Sequence, residues 1–277
     1  MQRDGNAALG GMEERMKLRR PILWLLLGLI VVASAVVATP GASYARQDRG
    51  ATLATASANH PAGTDALGRD RLVRVAAAFL LSLAGAIAAS ALTTAAAAGV
   101  GTLAAFGRGS LGWGLMLVCD VFLALPWMFL LMMVRSALPL TMSPVHSAAV
   151  TFVVLAALGW PACARAVCRG AMQLRTSDWM LYTRAAGLSG AGVVRHVIPN
   201  LFPLLLPQFL ISIPAFVMAE ANLGALGLGV GEPLPSWGGM LFELNNSPML
   251  VATRWVYFPV ILLVLVLLLL EGVAAEA

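Results

Sequence analysis

No Asp, Glu, Lys or Arg occurs between Arg74 and Arg108, an uncharged stretch of 33 residues. In hydrocarbon every backbone N–H and C=O must find its partner inside the segment, so a run of this kind is constrained to be helical. About 20 residues of helix cross a bilayer core. Comparable runs recur at 21–38, 113–139, 148–168, 201–220 and 256–270. The chain is 60% hydrophobic and 11% charged, against about 25% charged in a soluble domain. These features predict an all-α, polytopic membrane protein with six transmembrane helices.

The formal charge of +5 does not point to nucleic acid, because the arginines are spread beside the apolar runs rather than gathered in one stripe. Their distribution reads as an orientation signal instead. Eleven of the 18 cations fall in the leader, at Arg108, or in the segment after the fourth run. The positive-inside rule then puts both termini in the cytoplasm. The five arginines of the first external loop are interleaved with Asp48, Asp65 and Asp70, a composition that suits a surface helix. The basic flank and apolar core of residues 1–38 have the order of a signal peptide. That core exceeds a signal's usual length, and we read a retained first helix.

Three cysteines and three histidines, scattered among different runs, compose neither a disulfide framework nor a metal site. Lys17 is the only lysine, and no G-x-x-x-x-G-K-[ST] occurs. The chain lacks the phosphate cradle of an ATPase, and no catalytic residue is assigned. The organisation expected is a cytoplasmic leader at 1–20, a first transmembrane helix at 21–39 and an external loop at 40–74. A core of five transmembrane helices follows at 75–277, with a cytoplasmic loop at 169–200. The Ala- and Gly-rich second span suits close helix packing.

That loop contains "TRAAGLSGAGVVRHVIPN" at 183–200, a soluble-looking stretch between two spans. Ser177 or Asp178 can cap a short helix over Trp179–Ala186. Gly187 suits a left-handed helix end, and Ser189 can cap a second helix that stops before Pro199. Small residues between two short helices let another protein's groove approach the backbone, which is the geometry of a docking knob.

"DWMLYTRAAGLS" followed by "RHVIPN" resembles the cytoplasmic coupling motif of ABC importer permeases, in particular the C-type subunit of the dipeptide/oligopeptide/nickel family. Three further segments resemble that family in its order: "HPAGTDALGRD" at 60–70, "DVFLALPWMFLL" at 120–131 and "AEANLGALGLGVGEPLPSWGGML" at 219–241. The resemblance implies a type I ABC importer permease bundle in the bacterial inner membrane. It also implies a homologous B-type permease, two ABC ATPase subunits and an external substrate-binding protein as partners, besides membrane lipid. ATP and Mg would sit on the ATPase partners, with no cofactor or metal on this chain. The ATPase-coupling residues would be Trp179, Leu181, Tyr182, Thr183, Ala185, Ala186, Gly187 and Ser189. Leu181, Tyr182 and Thr183 stand where the family motif has Glu-Ala-Ala. The sequence stops at "EGVAAEA" without the family's G-D-x-L-R-D tail.

Other residues invite sharper readings. Asp120 and Glu220 lie at or near the ends of apolar runs, where an acid is a functional candidate by default. They could relay protons in a stand-alone carrier, or pin helices near the interface. Pro126, Pro161 and Pro214 are hinges or packing kinks. Arg135 can snorkel outward, and Trp237 reads as an interfacial anchor. "GLSG" at 187–190 matches an intramembrane serine protease motif, but Ser189 lies in a basic loop and no histidine falls within a run. The cargo implied is a di- or oligopeptide; nickel, glutathione, an opine or another small solute is the alternative within the family. Single cysteines near Thr52 and near Ser177 should be labelled from opposite sides of the membrane by an impermeant thiol reagent. Labelling from one side would overturn this topology.

Overall fold

The computed structural model describes residues 2–107, 110–139, 142–178, 180, 182, 197, 199–246 and 257–275, with side chains from Arg20 onward. Eight helices are described: α1 Gln2–Ala38, α2 Arg71–Phe106, α3 Leu111–Ala124, α4 Trp127–Ser136, α5 Pro144–Arg175, α6 Phe202–Ala225, α7 Trp237–Asn246 and α8 Phe258–Ala275. Among the described residues there is no strand, only an isolated bridge between Thr64 and Asp70.

Five helical segments are long and apolar enough to span a membrane: Arg20–Ala38 within α1, then α2, α5, α6 and α8. The sixth expected span is a pair, α3 and α4, bent by 84° where they meet. Leu125 is extended (φ −92°, ψ 139°) and Pro126 follows at φ −62°, ψ 108°. A proline ring pushes its predecessor out of the helical region and supplies no N–H to continue the ladder. Pro161 and Pro214, by contrast, sit inside the continuous helices α5 and α6. The helix α1 likewise runs through Pro21, so leader and first span are continuous.

The chain divides into two compact units. One comprises 1–86, 139–151 and 217–277. In it α1 packs on α8, with Ile22 beside Gly272. The backbones of α6 and α7 touch at Gly224 and Gly238, where a side chain on either glycine would run into the other's backbone. The loop at 40–70 of this unit, expected on the external side, is not a surface helix, as the interleaved charges suggest, but a knot of turns. Gly63 (φ +70°) and Gly68 (φ +74°) turn it, and a Cβ on either would strike the backbone of Ala54 or Asp48. Thr64 Oγ1 donates to the Ala51 carbonyl and accepts the Ala54 N–H at 2.8 Å. Inward-facing polar groups hold this loop, which a helix would have turned to water.

The second unit comprises 87–138 and 152–216. Its helices approach through small residues, as the composition of the second span predicts. A Cβ on Gly101 would stand 2.7 Å from the Ala164 carbonyl and 2.8 Å from Val167 Cβ, so α2 and α5 are in backbone contact there. Gly159 makes room for the Phe216 ring, and Thr93 Oγ1 donates to the Ala156 carbonyl at 3.2 Å. Ala97, Cys119, Cys163 and Ala164 form one buried cluster of this unit. Gly101→Val should destabilise the chain by about 1–3 kcal/mol through overpacking. Gly114, with nothing near its Cβ position, should accept Ala with a gain of up to about 1 kcal/mol. Thermal unfolding in detergent will show whether the two variants separate in this order.

Candidate functional site

One buried cluster holds both flanks of the loop that the arginine bias assigns to the cytoplasm. Met180 and Val197 are fully buried with Ala104 and Ala105 of α2, Val167, Cys168 and Ala171 of α5, and Leu201. Burying two apolar side chains at about 1.5–3 kcal/mol each holds Met180 and Val197 themselves against α2, α5 and the residues at the start of α6. Arg175 adds a tie, its Nη1 donating to the Ala105 carbonyl at 3.1 Å, where α2 has carbonyls without helical partners. The Ser177 hydroxyl donates back to the Leu174 carbonyl at 2.5 Å, and the Ser177 carbonyl accepts the Met180 N–H at 3.1 Å. Of the sequence-predicted coupling residues Tyr182 is described, helical and 77% exposed. Trp179, Leu181, Thr183, Ala185, Ala186, Gly187 and Ser189 lie outside the described residues.

Glu220 is fully buried in α6 and gathers three elements of its unit. It accepts the Ser82 hydroxyl of α2 at 2.9 Å and the Gly238 N–H of α7 at 3.3 Å. Ser82 Oγ also accepts the Trp237 N–H at 3.5 Å. The α7 N-terminus thus points its free N–H groups at a carboxylate, the favoured arrangement at a helix start. Trp237 is not an interfacial anchor: it is 1% exposed, because α7 packs its first turn against α6. Arg135 does not snorkel either. It is 3% exposed, its side chain covered by the protein itself.

Asp120 of α3 and Arg165 of α5 form an ion pair within their unit, both side chains partly exposed. Neither sequence position announces the other, since they lie 45 residues apart.

The external loop carries a charge network that residue-by-residue reading missed. Asp65 accepts Arg69 Nε at 2.5 Å and lies 3.5 Å from Arg74 Nε. Glu232 accepts Arg69 Nη1 at 2.6 Å and Arg74 Nη2 at 3.1 Å. Burial weakens the charge on the Arg69 guanidinium, but Asp65 and Glu232 outweigh it and raise its pKa. Asp65 Oδ1 also accepts the Leu67 and Arg69 N–H groups, and His60 Nδ1 meets Asp70 at 2.9 Å. A signal existed in the sequence: arginines at 69, 71 and 74 stand among acids at the foot of an apolar helix, where unpaired charge is costly. Glu243 of α7 lies beside this network. Burial pushes its carboxyl up, and the charge of Asp65 adds to that, against the pull of Arg74, Arg71 and Arg69. Among the described residues no three His, Cys, Asp or Glu side chains group closely enough to hold a metal ion.

Residues 97–275 match the family of binding-protein-dependent transport system inner membrane components. The chain is 33% identical over 248 residues to the oligopeptide transport system permease protein OppC of Escherichia coli K12, covering 87% of this chain and 80% of that one. It is 26% identical over 249 residues to the dipeptide transport system permease protein DppC of Bacillus subtilis (89% and 75%). It is 32% identical over 213 residues to the glutathione transport system permease protein GsiD of Shigella dysenteriae (76% and 68%).

The raised Glu243 carboxyl carries a signed consequence. Between the ordinary value of 4.5 and its folded value, the folded chain holds a proton that the unfolded chain has released. The stability it contributes is therefore full below the ordinary value and lost as pH rises through the folded one. Glu243→Gln should unfold at a higher temperature than wild type at pH 7.5, with the gap closing towards pH 4.5. A gap equal at both pH values in detergent melts would remove Glu243 as the titrating group.

Proposed function

The chain belongs to the family of binding-protein-dependent transport system inner membrane components, and from that membership we propose that it is the permease subunit of an ABC importer for peptides. It is a multi-pass membrane protein and not an enzyme. Both termini lie in the cytoplasm in this reading, as the arginine bias requires. A homologous B-type permease completes the translocation path. Two ABC ATPase subunits bind the cytoplasmic loop and carry ATP and Mg, and an external binding protein delivers the cargo. The peptide cargo rests on the oligopeptide and dipeptide permeases among the relatives. The glutathione permease supports the same-family alternative, a small peptide-like thiol.

The observation that carries the coupling reading is the clamp on both flanks of the loop. Met180 and Val197 are buried among the ends of α2, α5 and the start of α6. A force applied to the knob between them is therefore transmitted to three spans rather than absorbed by a slack loop. ATP binding closes the ATPase dimer, draws the two permeases' knobs together and opens the path outward. Hydrolysis reverses the change. The stand-alone carrier is less well supported. Asp120 is paired with Arg165, and Glu220 is held by Ser82 and the Gly238 N–H, so each acid is engaged by a partner within this chain.

In cells expressing the whole importer, uptake of a radiolabelled tripeptide should require this chain and ATP. Gly187→Val would strain the left-handed helix end that the sequence predicts there by about 1 kcal/mol or more. Ala186→Trp overpacks the ATPase contact by about 1–3 kcal/mol. Each should leave the permease inserted while weakening ATPase co-purification and abolishing uptake. Ser189→Ala removes a cap of about 1 kcal/mol and should reduce uptake only modestly. If Ser189→Ala eliminated uptake while Gly187→Val was silent, the docking account would fail.

A further inference from the structure

We propose that Asp120 and Arg165, with Arg169 beside them, line the aqueous path of the assembled importer and set which peptide charges pass; this rests on the importer reading above. Arg165 belongs to α5, long and apolar enough to cross the membrane, and Asp120 to the first half of the bent apolar pair α3–α4. Asp120 is nine residues into α3, about 13 Å of helix, and Arg165 ten residues before the end of α5, about 15 Å. No charged residue occurs at 109–119 or 121–134, nor at 136–164. Along their own helices the two are therefore flanked by uncharged residues, with Arg169 the nearest charge on α5.

The pair is not buried in its own chain. The Arg165 side chain is 43% exposed and that of Asp120 45%. Charged groups in spans face protein or water, because exposure to acyl chains is costly. A guanidinium near the end of a span can reach lipid headgroups by snorkelling. Arg165 instead turns to Asp120, which lies further along an apolar helix. Arg169 follows one turn later, exposed, with its Nε donating to the Arg165 carbonyl at 3.4 Å. Two cations and one anion leave this face with a net positive charge, too polar for lipid.

An aqueous path explains both features: water solvates the half-exposed pair, and the local charge acts on what passes. A narrow path with low-dielectric walls focuses the field of such groups on a charged solute. Removing the carboxylate leaves two unbalanced guanidiniums, which repel a cationic peptide. Removing the Arg165 guanidinium leaves Asp120 balanced against Arg169.

The test uses the complete importer in proteoliposomes, with trilysine and trialanine as probes. Asp120→Asn should lower the trilysine-to-trialanine uptake ratio by about tenfold, and Arg165→Gln should move it the other way. The double variant Asp120→Arg with Arg165→Asp restores the pair and should return the ratio towards wild type. It also serves where a single variant fails to assemble. Ala162, exposed one turn before Arg165, supplies an independent reading. In the importer, Ala162→Cys should react with a cationic, membrane-impermeant methanethiosulfonate, and trialanine uptake should then fall. The native cysteines Cys119, Cys163 and Cys168 are buried, so wild type is the blank. A silent Ala162→Cys thiol places the pair against lipid or under the second permease and overturns the proposal. An unchanged ratio in the charge variants overturns it as well. If wild type imports neither tripeptide in an ATP-dependent way, the importer reading itself falls; that outcome is separate from the other two.

Discussion

Helix backbones in this protein meet at glycine and alanine, and most of what the structure does depends on that closeness. Lipid offers no hydrophobic gain from bringing two apolar helices together, so association relies on packing and on the few hydrogen bonds that close approach allows. Gly101 lets α2 touch α5, and Gly224 meets Gly238 where α6 touches α7. At those distances a hydroxyl or carboxyl can reach across. Thr93 reaches the Ala156 carbonyl, and Glu220 reaches Ser82 and the Gly238 N–H. Larger residues at the glycines would separate the helices and leave Glu220 without its donors.

The charges follow from the same economy of space. Two acids within the apolar helices are met by specific partners: Asp120 by Arg165, Glu220 by a hydroxyl and a helix N-terminus. At the external end the problem is handled collectively, with two acids, Asp65 and Glu232, shared between the same two arginines. Such a network is rigid because removing any member strands the others. It fixes the external loop to the start of α2 and to the segment before α7. At the loop between α5 and α6 the corresponding role falls to apolar burial of Met180 and Val197.

Much of this was legible in the chain. Hydropathy is a local quantity that adds up residue by residue, so the spans and the all-helical class followed from uncharged runs alone, without knowing what touches what. The order of four motifs pointed to the family to which residues 97–275 belong. Proline effects are local as well, yet identical in sequence: only Pro126 breaks its span, while Pro161 and Pro214 are carried inside α5 and α6. Tertiary packing chose between them.

What the sequence by itself determined is therefore whatever one segment decides alone: which stretches are apolar enough to enter the membrane, and their helicity. Only the tertiary structure decided the rest. It buried Trp237 and Arg135 instead of leaving them at an interface, turned the external loop into a charge-held knot, and paired Asp120 with Arg165. Ser82 and Glu220 stand 138 residues apart, and no periodicity links them. A hydrogen bond between such residues exists because two small-residue faces pack closely enough to bring donor and acceptor within 3 Å, a property of the assembled helices and of neither one alone.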